Sequence, residues 1–141
     1  MKKLVFLLFS FAYLTSCTSD DDGGSQTSNL AAVLSVTLPD SFVHAQAYGI
    51  EIIYKRPTSC DHFSGFDISK NGNDIFIGVV CSHHTSNTNC LDTGNLQDRV
   101  TLNFVADRDD FYIFNFWQGK NAFGEDEFLI IEIPVTQPNY E

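Results

Sequence analysis

Basic residues are scarce in this chain. It has 8 Lys and Arg against 18 Asp and Glu over 141 residues, a formal net charge of −10. No basic patch of the kind nucleic acids require can be assembled, so nucleic acid is excluded as a partner. Long apolar runs are missing as well. Leu4 to Leu14 is broken by Ser10 and is too short for a bilayer span, which takes about 20 apolar residues. No stretch keeps a helical spacing of apolar residues, and no segment repeats. The common catalytic signatures are also absent. There is no Gly-x-Ser-x-Gly, no His-Glu-x-x-His, no phosphate-binding loop and no dinucleotide fingerprint. His44, His62, His83 and His84 have Ser and acidic neighbours in sequence, but a triad is a spatial arrangement that spacing does not show. The expectation is a protein that is not an enzyme and carries no cofactor.

What is present begins at the N-terminus. Lys2 and Lys3 form a short basic start, and the apolar run Leu4 to Leu14 follows. Thr15 and Ser16 then lead into Cys17. A charged start, a short apolar core and small residues after it make a secretory signal rather than a membrane anchor. Leu14-Thr15-Ser16-Cys17 resembles the lipobox of bacterial lipoproteins. That resemblance implies diacylglyceryl transfer to the Cys17 thiol, cleavage before Cys17 and acylation of the new amine. The membrane is then a partner through the lipid on Cys17. Two or more acyl chains hold stably, each buried CH2 contributing about 0.8 kcal/mol.

Residues 1–16 are therefore read as a signal peptide and 17–28 as the lipidated Cys with a flexible acidic tether. The tether is polar and has nothing to bury. Its Ser19-Asp20-Asp21-Asp22 resembles the export signal of surface lipoproteins in Bacteroidota, which implies an outer-membrane address facing the exterior. Loss of the signal removes two basic residues and lowers the net charge to −12, so anionic head groups should repel the body.

Residues 29–141 make one domain with enough apolar side chains for its own core, including 10 Phe and 4 Tyr. Their periodicity is close to two throughout. Tyr48, Ile50, Ile52 and Tyr54 alternate with more polar neighbours, as do Val100, Leu102, Phe104 and Ala106. Asn71-Gly72 marks a hairpin between Phe63–Lys70 and Asp74–Ser82. Phe111 to Trp117 is apolar on both faces and reads as a central strand, and Phe128 to Val135 closes the domain. The fold class is all-β: a single antiparallel β-sandwich of about seven strands, immunoglobulin-like in size, with a small β-barrel as the alternative. Trp117 follows every cysteine, so the Cys–Trp–Cys order of true immunoglobulin domains is absent and only the architecture is inferred.

With Cys17 assigned to lipid, Cys60, Cys81 and Cys90 remain, an odd number in an oxidising compartment. Cys81 is in register with Ile75, Ile77 and Val79 and reads as a buried thiol. Cys60 and Cys90 sit in polar connections, Cys90 in the long loop Ser82 to Asp98, and are the expected disulfide. Cys81–Cys90 is the alternative pairing. A less favoured set is a metal site. Cys60-x-His62, Cys81-x-His83 and Cys90 offer sulfur and nitrogen ligands that suit zinc or copper, but their spacing fits no closed zinc motif. Asp107, Asp109, Asp110, Glu125, Asp126 and Glu127 cluster at turns without a calcium-loop spacing and read as solvated. Tyr112, Phe114, Phe116 and Trp117 read as core, and an exposed apolar patch would instead mark a stacking platform for sugar.

Arg56-Pro57-Thr58-Ser59-Cys60, Phe114 to Gly119 and Gly124 to Leu129 together resemble small surface lipoproteins of Bacteroidota. The resemblance implies the address and carries no activity. The expected function is a cell-surface binding module for protein or glycan. A periplasm-facing accessory lipoprotein and a metal-binding protein are the alternatives. One prediction tests the tether directly. Metabolic labelling with a fatty acid should mark the wild-type chain and leave Cys17→Ala unmarked, with the variant released from the membrane fraction.

Overall fold

The computed structural model describes residues 24–92 and 94–139. The lipobox, Cys17 and the aspartate run lie outside the described residues. Among those described, every regular element is a strand. They are β1 (Gln26–Ala31), β2 (Val33–Thr37), β3 (Phe42–Val43), β4 (Ala47–Lys55), β5 (His62–Asn71), β6 (Asp74–His84), β7 (Gln97–Val105), β8 (Phe111–Lys120) and β9 (Asp126–Thr136). The chain is all-β, with two sheets packed face to face. One sheet holds β1, β3, β5, β6, β8 and β9, and the other has the order β2-β4-β7.

Nine strands stand where about seven are expected. The two additions are those that an apolar pattern cannot reveal. β3 is two residues long, and β1 is polar and mostly exposed. β1 also begins at Gln26, inside the segment read as tether. Its main chain pairs with β6 from Gln26↔His84 to Ala31↔Val79, so the strand is held by backbone hydrogen bonds rather than by burial. Two of the pairings, β3 with β9 and β6 with β8, are parallel, where the sequence reading expects antiparallel strands.

The β5–β6 hairpin forms as expected, one residue further along. Asn71 pairs with Asp74, so Gly72 and Asn73 are the central residues, and Gly72 takes the positive φ of 62°. Glycine at the first central position suits a turn that needs one positive φ there.

β1 and β2 are joined through Ala32, where the chain crosses from one sheet to the other. Between the sheets lies a core in which Phe42 is fully buried. Its ring stands 4.5 Å from Tyr48, 5.3 Å from Phe104 and 5.9 Å from Phe114, centroid to centroid. Ile50, Ile52 and Tyr54 of β4 face Ile75, Ile77 and Val79 of β6 across this layer, all buried. Truncating any one of the buried aromatics to Ala would cost about 3–5 kcal/mol.

Tyr112 closes the end of the sandwich that carries the β7–β8 turn. Its hydroxyl accepts from the backbone N–H of Asp107 at 2.7 Å and of Arg108 at 2.9 Å, and donates to Asp107 Oδ1 at 2.6 Å. Burial and the bond to Asp107 push the phenol up to about 12. Arg108 in turn grips both oxygens of Asp110, at 2.8 and 2.9 Å, and reaches Asn73 of the hairpin at 2.9 Å. Tyr112→Phe keeps the ring and removes the acceptor, leaving two backbone donors unpaired. Urea unfolding should show a loss of about 1–3 kcal/mol with an unchanged slope.

Candidate binding groove

The site is built by a fork in the larger sheet. β5 pairs along one edge of β6 from Asp74 to Ser82. The other edge is divided. Asp74 to Ile77 pair with β8, and Val79 to His84 pair with β1. Gly78 lies between the two partners. A Cβ there would stand 2.8 Å from Leu30 Cδ2, so the missing side chain lets Leu30 lean into the gap. Beyond Phe116, β8 turns away from β6 and bulges between Trp117 and Gly119, with Gly119 at φ 117°.

The divergence opens a groove of about 260 Å³ on the outer face of the sheet. Its floor is Ile77 and Gly78, and its walls are Leu30, Phe76, Trp117 and Phe128. Asp67 and Ser69 on one side and Asp126 on the other form a polar rim. Phe76 and Phe128 meet edge to face, 5.7 Å apart at 79°. Trp117 Nε1 donates to Asp126 Oδ1 at 2.9 Å, and Lys120 Nζ binds the same oxygen at 2.8 Å. These two donors, Lys120 first, hold the Asp126 carboxyl below its ordinary range. The Trp117 bond also ties the indole to the rim of the groove. A second depression of about 230 Å³ adjoins on the far side of Leu30 and Trp117, reaching Pro57 and Asp92.

A second concentration of polar groups lies at the disulfide end. Cys60 and Cys90 are bridged, with Cα atoms 5.3 Å apart. Closing this loop of 30 residues contributes about 3–4 kcal/mol on the chain-entropy account. Asp61, next to the bridge, is fully buried. It accepts from Thr58 Oγ1 at 2.7 Å and pairs with His83 Nδ1 at 3.0 Å. Burial raises the Asp61 pKa, and the His83 and Thr58 hydrogen bonds outweigh it, so the net shift is downward. Cys81 is a free, buried thiol near Tyr54, and burial raises both pKa values. A raised thiol pKa disfavours the thiolate that nucleophilic chemistry needs.

The structure sorts the residues named from the sequence. The Cys60–Cys90 bridge is present and Cys81 is buried, as expected. The less favoured metal set does not assemble. Cys60 and Cys90 are consumed by each other. His62 is opposite Ser82 and exposed, whereas Cys81 and His83 lie on the opposite face of β6. Among the described residues, no group of three or more His, Cys, Asp or Glu is placed to hold a metal ion. The acidic turns are organised rather than merely solvated. Asp109 pairs with His44 Nδ1 at 3.0 Å, Asp110 with Arg108, and Glu125 accepts from Asn121 Nδ2 at 2.9 Å.

Of the β8 aromatics, Tyr112, Phe114 and Phe116 are core, as read. Trp117 is not. It is half-buried on the outer face, where Phe128 is its register partner. Phe76, Phe128 and Leu30 were not legible as a site, because three separate strands bring them together. The alternation of Phe76 against Ile75 and Ile77 was the available signal that this ring points away from the core. No family model, curated protein or solved structure matches the chain.

The Asp61 pair generates a pH dependence. Its folded pKa lies below the unfolded value, which is about 3.9. The stability it contributes is complete above about pH 4 and is lost as pH falls through the lower folded value. Asp61→Asn should lower stability at pH 7 by about 1–3 kcal/mol and flatten the decline between pH 4 and pH 2, measured by urea unfolding across that range.

Proposed function

We propose that the protein is a lipid-anchored binding module of the cell surface, and that the forked-sheet groove receives its protein or glycan ligand. The observation that carries this reading is the groove itself. Aromatic side chains clustered on the outside of a sheet pair across strands and also leave apolar surface open to a ligand. Here the indole N–H is also held by Asp126, itself paired with Lys120, so the ring is oriented at the surface before any ligand arrives.

The lipobox-like Leu14–Cys17 and the Ser-Asp-Asp-Asp run supply the address. β1 starts at Gln26, so the tether joins the domain at the end where β6 finishes, with Gly24 beside His84. The disulfide at this end suits an oxidising envelope compartment. A role as a periplasm-facing accessory shares the lipid anchor but not the outward display.

Proteinase shaving separates the two. On intact cells, added proteinase should remove the domain while a soluble periplasmic marker survives. Full protection of the domain on intact cells, with digestion after lysis, would transfer it to the inner side of the membrane.

A further inference from the structure

We propose that the groove binds a basic segment of a partner protein, with an Arg or Lys side chain lying between the aromatic walls and the Asp67 carboxylate. The inference deepens the reading of the groove as the binding site and rests on it. Three observations support a cation. First, the walls present Trp117, Phe76 and Phe128, and aromatic faces attract cations. Second, the outer face is acidic. Asp67, Asp74, Asp126 and Glu132 stand on it by register, and Lys120 is the basic side chain among them. Third, these carboxylates are not equally engaged. Asp126 is occupied by Lys120 and Trp117, and Asp74 accepts from Asn115 at 3.0 Å. Asp67 is exposed on the rim and has no partner among the described residues. Glu132 does not line the groove, so of the rim carboxylates Asp67 is the one left to meet an incoming charge.

The form of the groove selects the kind of cation. It lies open on a sheet face, whereas sites for small molecules enclose most of their ligand. A lone ammonium ion would remain largely in water there. A long side chain can lay its apolar stem on Leu30 and the rings, hold its charged head at Asp67, and take its remaining contacts from the chain that presents it. The groove crosses the faces of β1, β5, β6, β8 and β9 rather than following an unpaired edge, so strand addition is not its mode. A chain of net charge −10 also attracts basic partners at long range and repels acidic ones.

Trp117 is the one tryptophan in the chain, so its fluorescence reports on the groove and the depression beside it, and the Asp67 variant assigns the response to the groove. The experiment titrates the full chain, purified from membranes in a nonionic detergent, with hexa-arginine peptide and separately with maltohexaose. The expected result is a saturable change with the peptide that weakens as salt is added. Asp67→Asn should weaken it by roughly three-fold, the scale of an exposed ion pair. Asp40→Asn, an equal charge change on an exposed residue outside the groove, should leave it unaltered. No response to the peptide, or an equal loss in both variants, would overturn the proposal. A response to the oligosaccharide in place of the peptide would also overturn it, while leaving the groove as a ligand site. If the peptide binds as expected but shaving shows the domain shielded, the cation site stands and outward display falls.

Discussion

The structure depends on the division of one strand edge. β6 is paired from Asp74 to Ser82 on one side by β5, and on the other side by β8 and then β1. A strand has only two edges, so two partners on one of them must part company. The parting falls at Gly78, where no side chain props the partners apart. With it go the crossing of β1 into β2 on the opposite sheet and the bulge in β8 just past Trp117. The groove is the space that the fork leaves.

Burial and polar satisfaction work together around this frame. Phe42, Phe104, Tyr112, Phe114 and Phe116 fill the layer between the sheets with ring-to-ring contacts. The ends, where strands stop and backbone groups lose their partners, are closed by side chains. Tyr112 satisfies two N–H groups of the β7–β8 turn. Asp61 ties Thr58 to His83 beside the disulfide. Both groups are costly to bury and become stabilising only because each buried polar atom has a partner.

Much of this was legible as pattern. Alternation in Tyr48–Tyr54 and Val100–Ala106 marked core faces that the structure confirms for Ile50, Ile52, Tyr54, Leu102, Phe104 and Ala106. The odd cysteine count and the register of Cys81 separated the buried thiol from the bridged pair. β1 was not legible, because its side chains are polar and its stability comes from main-chain pairing with a strand some fifty residues away. Trp117 was misread as core because it was grouped with the buried aromatics of β8; it directly follows Phe116, and strand alternation puts it on the outward face.

The sequence by itself determined the all-β class, most of the inward faces, the hairpin near Gly72 and the buried register of Cys81. Each follows from local chemistry: a period of two, a residue that tolerates positive φ, a cysteine in or out of register. The tertiary structure alone decided the strand order, the parallel pairings, the burial of Asp61 against His83 and the assembly of Leu30, Phe76, Trp117 and Phe128 around one groove. Those depend on which edge of β6 each distant strand takes. Competition between two strands for one row of hydrogen-bonding groups is resolved only when the whole chain has packed.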